Sequence, residues 1–544
     1  MFRKHKWLFI VLTIASLVFF IFIASCRKVK APDFEADYDV IIIGGGLGGL
    51  SAAAHLAKND LKVLLLEQHH KVGGCSTNFK RGDFVFETAL HEMAGGGPRV
   101  EDGDLKQLMT LCGVYDKVKT YQLPDLYRSI YPGVDITLPP TWEGWDNTLK
   151  ERWPEESEGI DKFHRLCTDF TVEFMSLSNL FRYGSFRTFT VKMQVPIKQR
   201  LFFEWQSKTL EDLMDECFED ERLKAVVSQF WVYYGAPVKD QSAIIMLIAN
   251  DTYLNEGPVH VMGTSQNLAN AYAESIEEMG GTVKTGTLVT EIIIEDGIAK
   301  GVKTEFGDVY TARYIVANTD PYQLIYKLIG QDNLPKKYVE KVSGMKVANS
   351  LFGVYLGLNI DLKKLGYDDT EIFYNTSLDS TLVYENMMKG NFKEGASTLT
   401  IYSNYGDPIY APKGKSVVVL HSYCDYNIWP KDKEEYQKMK EEKAWELINL
   451  AANAIPEIKE KRYIEEMEIL TPVTINEFTL NHGGVIYGFY LDVNQWQKIP
   501  IRTPIDNVFI ASNWTELFHG FGSVQINGWM ANRLIMDIEG LEYE

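Results

Sequence analysis

The chain has 544 residues, enough at about 150 per domain for three or four domains or fewer large ones, and 45% of them are hydrophobic, which excludes a disordered protein. Lys and Arg total 55 against 74 Asp and Glu, a net charge of −19, which argues against a nucleic-acid partner because phosphate contacts need clustered cations. The six cysteines (Cys26, Cys75, Cys112, Cys167, Cys217, Cys424) stand apart with no C-x-x-C pair, so neither a metal site nor a disulfide framework is predicted.

Residues 1–25 open with the basic MFRKHKW and continue as an apolar run from Leu8 to Ser25. This is a signal peptide or membrane anchor, separate from the fold. The run is close to membrane-spanning length, which suits an uncleaved signal anchor. Ile23-Ala24-Ser25-Cys26 equally fits a lipobox, with Cys26 then lipidated, and cleavage to a soluble secreted protein is the third outcome. Basic residues flank the run on both sides, so charge does not orient it. The localisation expected is at a membrane, through this segment.

Asp39 to Ile43 is a β-branched run suited to a strand buried on both faces. It leads into Gly44, Gly46 and Gly49 in G-x-G-x-x-G spacing, then into the helix-forming LSAAAHLAKN. In that setting the first glycine permits the tight turn, the second lets backbone approach a pyrophosphate, and the third lets helix and strand pack closely. Leu61 to Leu66 reads as the second strand of the unit and ends at Glu67, where a carboxylate takes ribose hydroxyls. Gln68, the pair Gly73-Gly74 and Cys75 follow as further candidate cofactor contacts. No second G-x-G-x-x-G follows a strand, so no dedicated nicotinamide domain is predicted.

Farther along, Met175 to Phe203 holds Arg182, Arg187, Lys192, Lys198 and Arg200 with no acid, interleaved with aromatics. Such a segment suits docking on a membrane surface. Gly263-Thr264-Ser265 introduces an amphipathic helix ending at Gly280-Gly281. Thr282–Lys284 and Thr287–Ile294 alternate as strands, with Val289 a core or cofactor position. Val508 to Asn513 is a strand running into a loop, with a helix beginning near Gln525. The blocks 111–245 and 325–475 are rich in aromatics and Met, which suits a core or a tunnel for a long apolar substrate.

VLLLEQHHKVGGCSTNF, GDFVFETALHEM, VANTDP, ILTPVTINEF, HGGVIYG and TPIDNVFIASNW resemble, in order and spacing, the retinol saturase and carotenoid isomerase group of the phytoene-desaturase-like flavoproteins. The likeness covers nearly everything after about residue 38. It implies FAD as cofactor, with a Gly pair continuing the cradle toward the flavin as in the glutathione-reductase and amine-oxidase types. It places the backbone of Val289 against the adenine, Asn513 near the ribityl chain and diphosphate, and His91 beside the isoalloxazine ring. Tyr487 and His482 are candidate proton donors. The family pattern is departed from in three stretches: Glu87 and Ala89 stand for its Asp and Gly, Ser512-Asn513 for Gly-Asp, and the Gly-rich stretch before the last helix is altered at 518–525.

The implied fold class is α/β, a Rossmann-type FAD-binding domain (36–110, 246–325, 476–544) interleaved with an α+β substrate-binding domain (111–245, 326–475). The implied activity is FAD-dependent oxidoreduction at C=C bonds of a lipophilic isoprenoid or polyene, tilted toward saturation, with NAD(P)H or a quinone as electron partner. Flavin amine oxidation and non-catalytic lipid binding by a flavoprotein are the alternatives. With no Cys after Val508, covalent flavin attachment there is excluded.

Overall fold

The computed structural model describes residues 29–97, 103–181, 199–495, 498–516 and 519–542. The targeting segment with Cys26, and the basic residues Arg182, Arg187, Lys192 and Lys198, lie outside the described residues.

Two seven-stranded sheets organise the chain. The first runs in the order Val289–Glu295, Ile298–Thr304, Val309–Ala317, Tyr38–Ile43, Val63–Leu66, Thr282–Lys284, and Val508–Ile510 pairs in parallel with Ile315 to Ala317, past the part of that strand paired with Ile298–Thr304. Tyr38–Ile43 is parallel to both neighbours, with Ile43 opposite Leu66 on one side and Ala317 on the other. Three distant stretches of sequence therefore meet in one sheet. Apolar residues at the last four positions of Tyr38–Ile43 explain the burial: Val40 and Ile42 face a core containing Leu50 and Leu56 of the helix Leu47–Lys58, while Ile41 and Ile43 face Val289, Ile315 and Trp514. The last helix, Phe521–Glu539, packs on Leu47–Lys58 and starts four residues before the predicted position, because Gly520 at φ +105° turns the chain directly into it.

The second sheet runs in the order Ile464–Leu470, Ser350–Leu358, Ser416–Cys424, Ala396–Thr400, Glu371–Asn375, Tyr127–Tyr131, Val134–Leu138. Residues Val354, Leu356, Val418 and Leu420 pack with Ala444, Leu447 and Ile448 of the helix Lys433–Ala451. Alternation sends Tyr355, Val417 and Val419 the other way, against Phe84 and Phe86. No helix among the described residues is long and apolar enough to cross a membrane.

One buried acid ties the two halves of the first domain together. Glu87 accepts from the backbone N–H of Ser265 at 2.7 Å and its hydroxyl at 2.5 Å, capping the helix Ser265–Glu278 in place of a local side chain. Burial pushes the Glu87 carboxyl up to about 7 from the usual 4.5, the Ser265 bonds only partly opposing it. A carboxyl raised on folding contributes fully below pH 4.5, and that contribution is lost as the pH climbs through about 7. The difference of 2.5 pH units corresponds to roughly 3 kcal/mol. Glu87→Gln is therefore expected to flatten the fall in melting temperature between pH 5 and 8, seen by calorimetry on both chains. Parallel melting curves against pH would contradict this.

Candidate cofactor and substrate site

The strand Tyr38–Ile43 breaks at Gly44, whose φ of +94° suits only a residue without a side chain. A Cβ on Gly49 would lie 2.2 Å from the Gly44 carbonyl oxygen, so the helix can start this close to the strand only with glycine there. Gly46, just before the helix, offers no side-chain cap, which leaves the first helical N–H groups directed at the adjoining space. Glu67 ends the second strand beneath this turn, accepting from Gly45 N at 2.6 Å and His69 N at 2.8 Å.

That space is a cavity of about 2500 Å³, lined among others by Gly44, Gly46, Glu67, Gln68, Gly73, Gly74, Cys75 and Val289. Asn513, His91 and Tyr487 line it as well. Gly49 does not, since its place is the strand–helix contact. His482 is also outside the wall; it stacks on Tyr322 at 4.5 Å, and its backbone N–H donates to Asp320. The Asn513 side chain is spent on neighbouring loops, donating to Ile486 O at 2.7 Å and accepting from Gly520 N at 3.3 Å. Buried Lys498, pulled down to about 7 by desolvation, donates to the Asn513 carbonyl at 2.7 Å and pins the same loop. A cavity that passes an uncapped helix N-terminus, a close-packed glycine turn and a carboxylate at the second strand's end fits a dinucleotide.

Beyond Gly74 the wall changes character. The second sheet presents Glu371, Thr400 and His421 to His91. The Thr400 hydroxyl donates to Glu371 Oε2 at 2.6 Å, leaving its oxygen to accept from His91 Nδ1 at 2.5 Å. Glu371 Oε2 itself lies 3.3 Å from that nitrogen. On the other side His91 Nε2 meets His421 Nδ1 at 3.2 Å. Burial, then the neighbouring His91, holds His421 well below the usual imidazole range, so it is neutral and serves as donor to His91. The His91 backbone is clamped too: its carbonyl accepts from His260 Nδ1 and from the Tyr405 hydroxyl, both at 3.0 Å. His260, buried and lowered to about 3, keeps its other nitrogen on the Tyr410 hydroxyl at 2.5 Å.

The cavity wall also includes the apolar Leu108, Leu111, Phe174, Met175, Ile245 and Ile248. Leu111 and Met175 are also exposed, as are Val172 and Phe203 outside the wall. Sequence reasoning missed Glu371, Thr400, His421 and His260 altogether. The available signal was a single histidine inside the apolar run VVVLHSYC and an acid at the start of the strand EIFYN.

Residues 42–108 match the family described as NAD(P)-binding Rossmann-like domain. An all-trans-retinol 13,14-reductase of Danio rerio is 26% identical, over 87% of this chain and 82% of that protein. A chloroplastic prolycopene isomerase of Daucus carota is 24% identical, over 83% and 72% respectively. Among solved structures, putrescine oxidase bound to putrescine shares the fold with a TM-score of 0.61 at 16% identity, covering 92% of this chain and 99% of that one. Homologues of this kind imply a flavin for the cavity described above. The fold, the dinucleotide turn and the chain-long similarity to these relatives fit the phytoene-desaturase-like superfamily of FAD-dependent oxidoreductases.

Proposed function

We propose that the protein uses FAD to saturate a C=C bond of a lipophilic polyene, a retinoid or carotenoid, that it takes up at a membrane. The observation that carries this reading is that a single cavity is lined by the glycine turn, by His91 and by a set of apolar side chains. When bound, FAD supplies hydride transfer. The chain supplies the rest. Gly44, Gly46 and Glu67 would hold the dinucleotide end, and the loop carrying Ser512 and Asn513 would continue along it. The aliphatic and aromatic wall fixes a long apolar ligand by burial, which excludes water and sets which bond lies next to the reacting centre. Glu371 and Thr400 hold His91 in one tautomer at that centre, with His421 behind it. The electron partner that reduces the flavin for this step is NAD(P)H or a quinone in its reduced, quinol form. Anaerobic reduction followed by exposure to a polyene tests the activity.

The membrane part rests on separate observations. Exposed Val172, Met175 and Phe203 flank the segment holding Arg182, Arg187 and Lys192, and Met175 also lines the cavity. Apolar anchors combined with cations suit an anionic lipid surface. Reversing those three charges in a chain lacking residues 1–25 is expected to lower its cosedimentation with anionic liposomes about tenfold or more, at about 1 kcal/mol per cation near the surface. Equal cosedimentation of the two chains would remove this segment from the reading.

A further inference from the structure

Glu92, next to His91, lines the same cavity yet has no part in the network above. It is 7% exposed, and neither carboxyl oxygen has a hydrogen-bond partner. The hydroxyl of Tyr233, another wall residue, is buried and equally without a partner. His91 cannot fill that role for a ligand, because both of its ring nitrogens are engaged within the protein. Tyr253 approaches Glu92 only at the backbone, its hydroxyl 3.5 Å from the carbonyl oxygen. Burial, and secondly the charge of Glu371, hold the Glu92 carboxyl well above the usual range, so it keeps its proton.

A protonated carboxyl offers one donor and one acceptor side by side, and a phenol hydroxyl offers the same. Leaving such groups buried and unmatched is costly, and the cost is relieved when a ligand brings the complementary pair. An alcohol does so; a hydrocarbon does not, and an amine cation would require the carboxyl to ionise. We propose that Glu92 and Tyr233 form the seat for the hydroxyl head group of the ligand. The proposed function enters only through the lipophilic nature of that ligand.

The full chain, with its cofactor as purified, is titrated in detergent with all-trans-retinol and with the same polyene carrying a methyl group in place of the hydroxymethyl group. Binding is followed by quenching of protein fluorescence. The native chain is expected to bind the alcohol on the order of tenfold more tightly than the hydrocarbon, the worth of one well-made hydrogen bond to a buried group. Glu92→Leu should bring the two within about twofold while still binding the hydrocarbon, and Glu92→Gln, which keeps a donor and an acceptor, should retain the preference. Tyr233→Phe, which keeps the ring, should lose part of it and serves if Glu92→Leu does not fold. Equal binding by the native chain, or a preference that survives Glu92→Leu, would overturn the seat alone. Tighter binding of the corresponding amine would overturn the choice of an alcohol. Failure of both polyenes to bind would overturn the proposed function together with the seat.

Discussion

A Gly49→Ala chain is expected to emerge without bound flavin and with a melting temperature well below that of the native chain. The added methyl would lie 2.2 Å from the Gly44 carbonyl oxygen, 2.9 Å from the Asn318 Cβ and 3.2 Å from the Ile42 side chain. The first of these is backbone at the end of a central strand, which cannot step aside without displacing the turn. Overpacking at such a point costs about 1–3 kcal/mol. The helix start moves with the turn, so the uncapped N–H groups leave the position in which they would meet a pyrophosphate. The check is the flavin absorbance per protein together with calorimetry. A chain that stayed yellow and melted like the native one would show that the turn has slack the structure does not display.

Glu371→Gln is expected to lower turnover by about 10- to 100-fold while the KM for the polyene stays within about twofold, because it releases the fixed orientation of His91 in the cavity wall, and a small misplacement of a positioning group costs up to about 10²-fold. Glu371 is 1% exposed and reaches the cavity only through Thr400 and His91, so it is a positioning residue. Thr400→Val cuts the same chain one link nearer the ligand. Because the two act in series, the double variant should be no worse than the more damaging single one. A purely structural role would instead show as additive losses and a raised KM.

The legible parts of this protein were the local ones. The turn at Gly44 to Gly49 and the acid Glu67 lie within one strand–helix–strand unit, where residue spacing alone dictates the geometry. Resemblance, not pattern, pointed to His91. Its partners Glu371, Thr400 and His421 lie 280, 309 and 330 positions away, on strands of another sheet, and no periodicity links a strand to a loop at that separation. Glu92 was hidden for a different reason. Its importance comes from what it lacks, a hydrogen-bond partner, and that is a property of packing which a sequence does not display. His482 shows the opposite case, a polar residue in a marked motif that the fold uses to stack on Tyr322.

The central claim is that this cavity brings a flavin and a polyene together for saturation. The most direct measurement is to reduce the purified yellow chain anaerobically with dithionite, remove the excess, add all-trans-retinol, and follow flavin reoxidation alongside mass spectrometry of the extracted lipid. The account predicts that the flavin is reoxidised without oxygen as retinol is converted to a product heavier by two hydrogens, in equal amounts. A flavin that stays reduced beside unchanged retinol and carotenoids, yet is reduced by amines with release of peroxide once air is admitted to the oxidised chain, would contradict it.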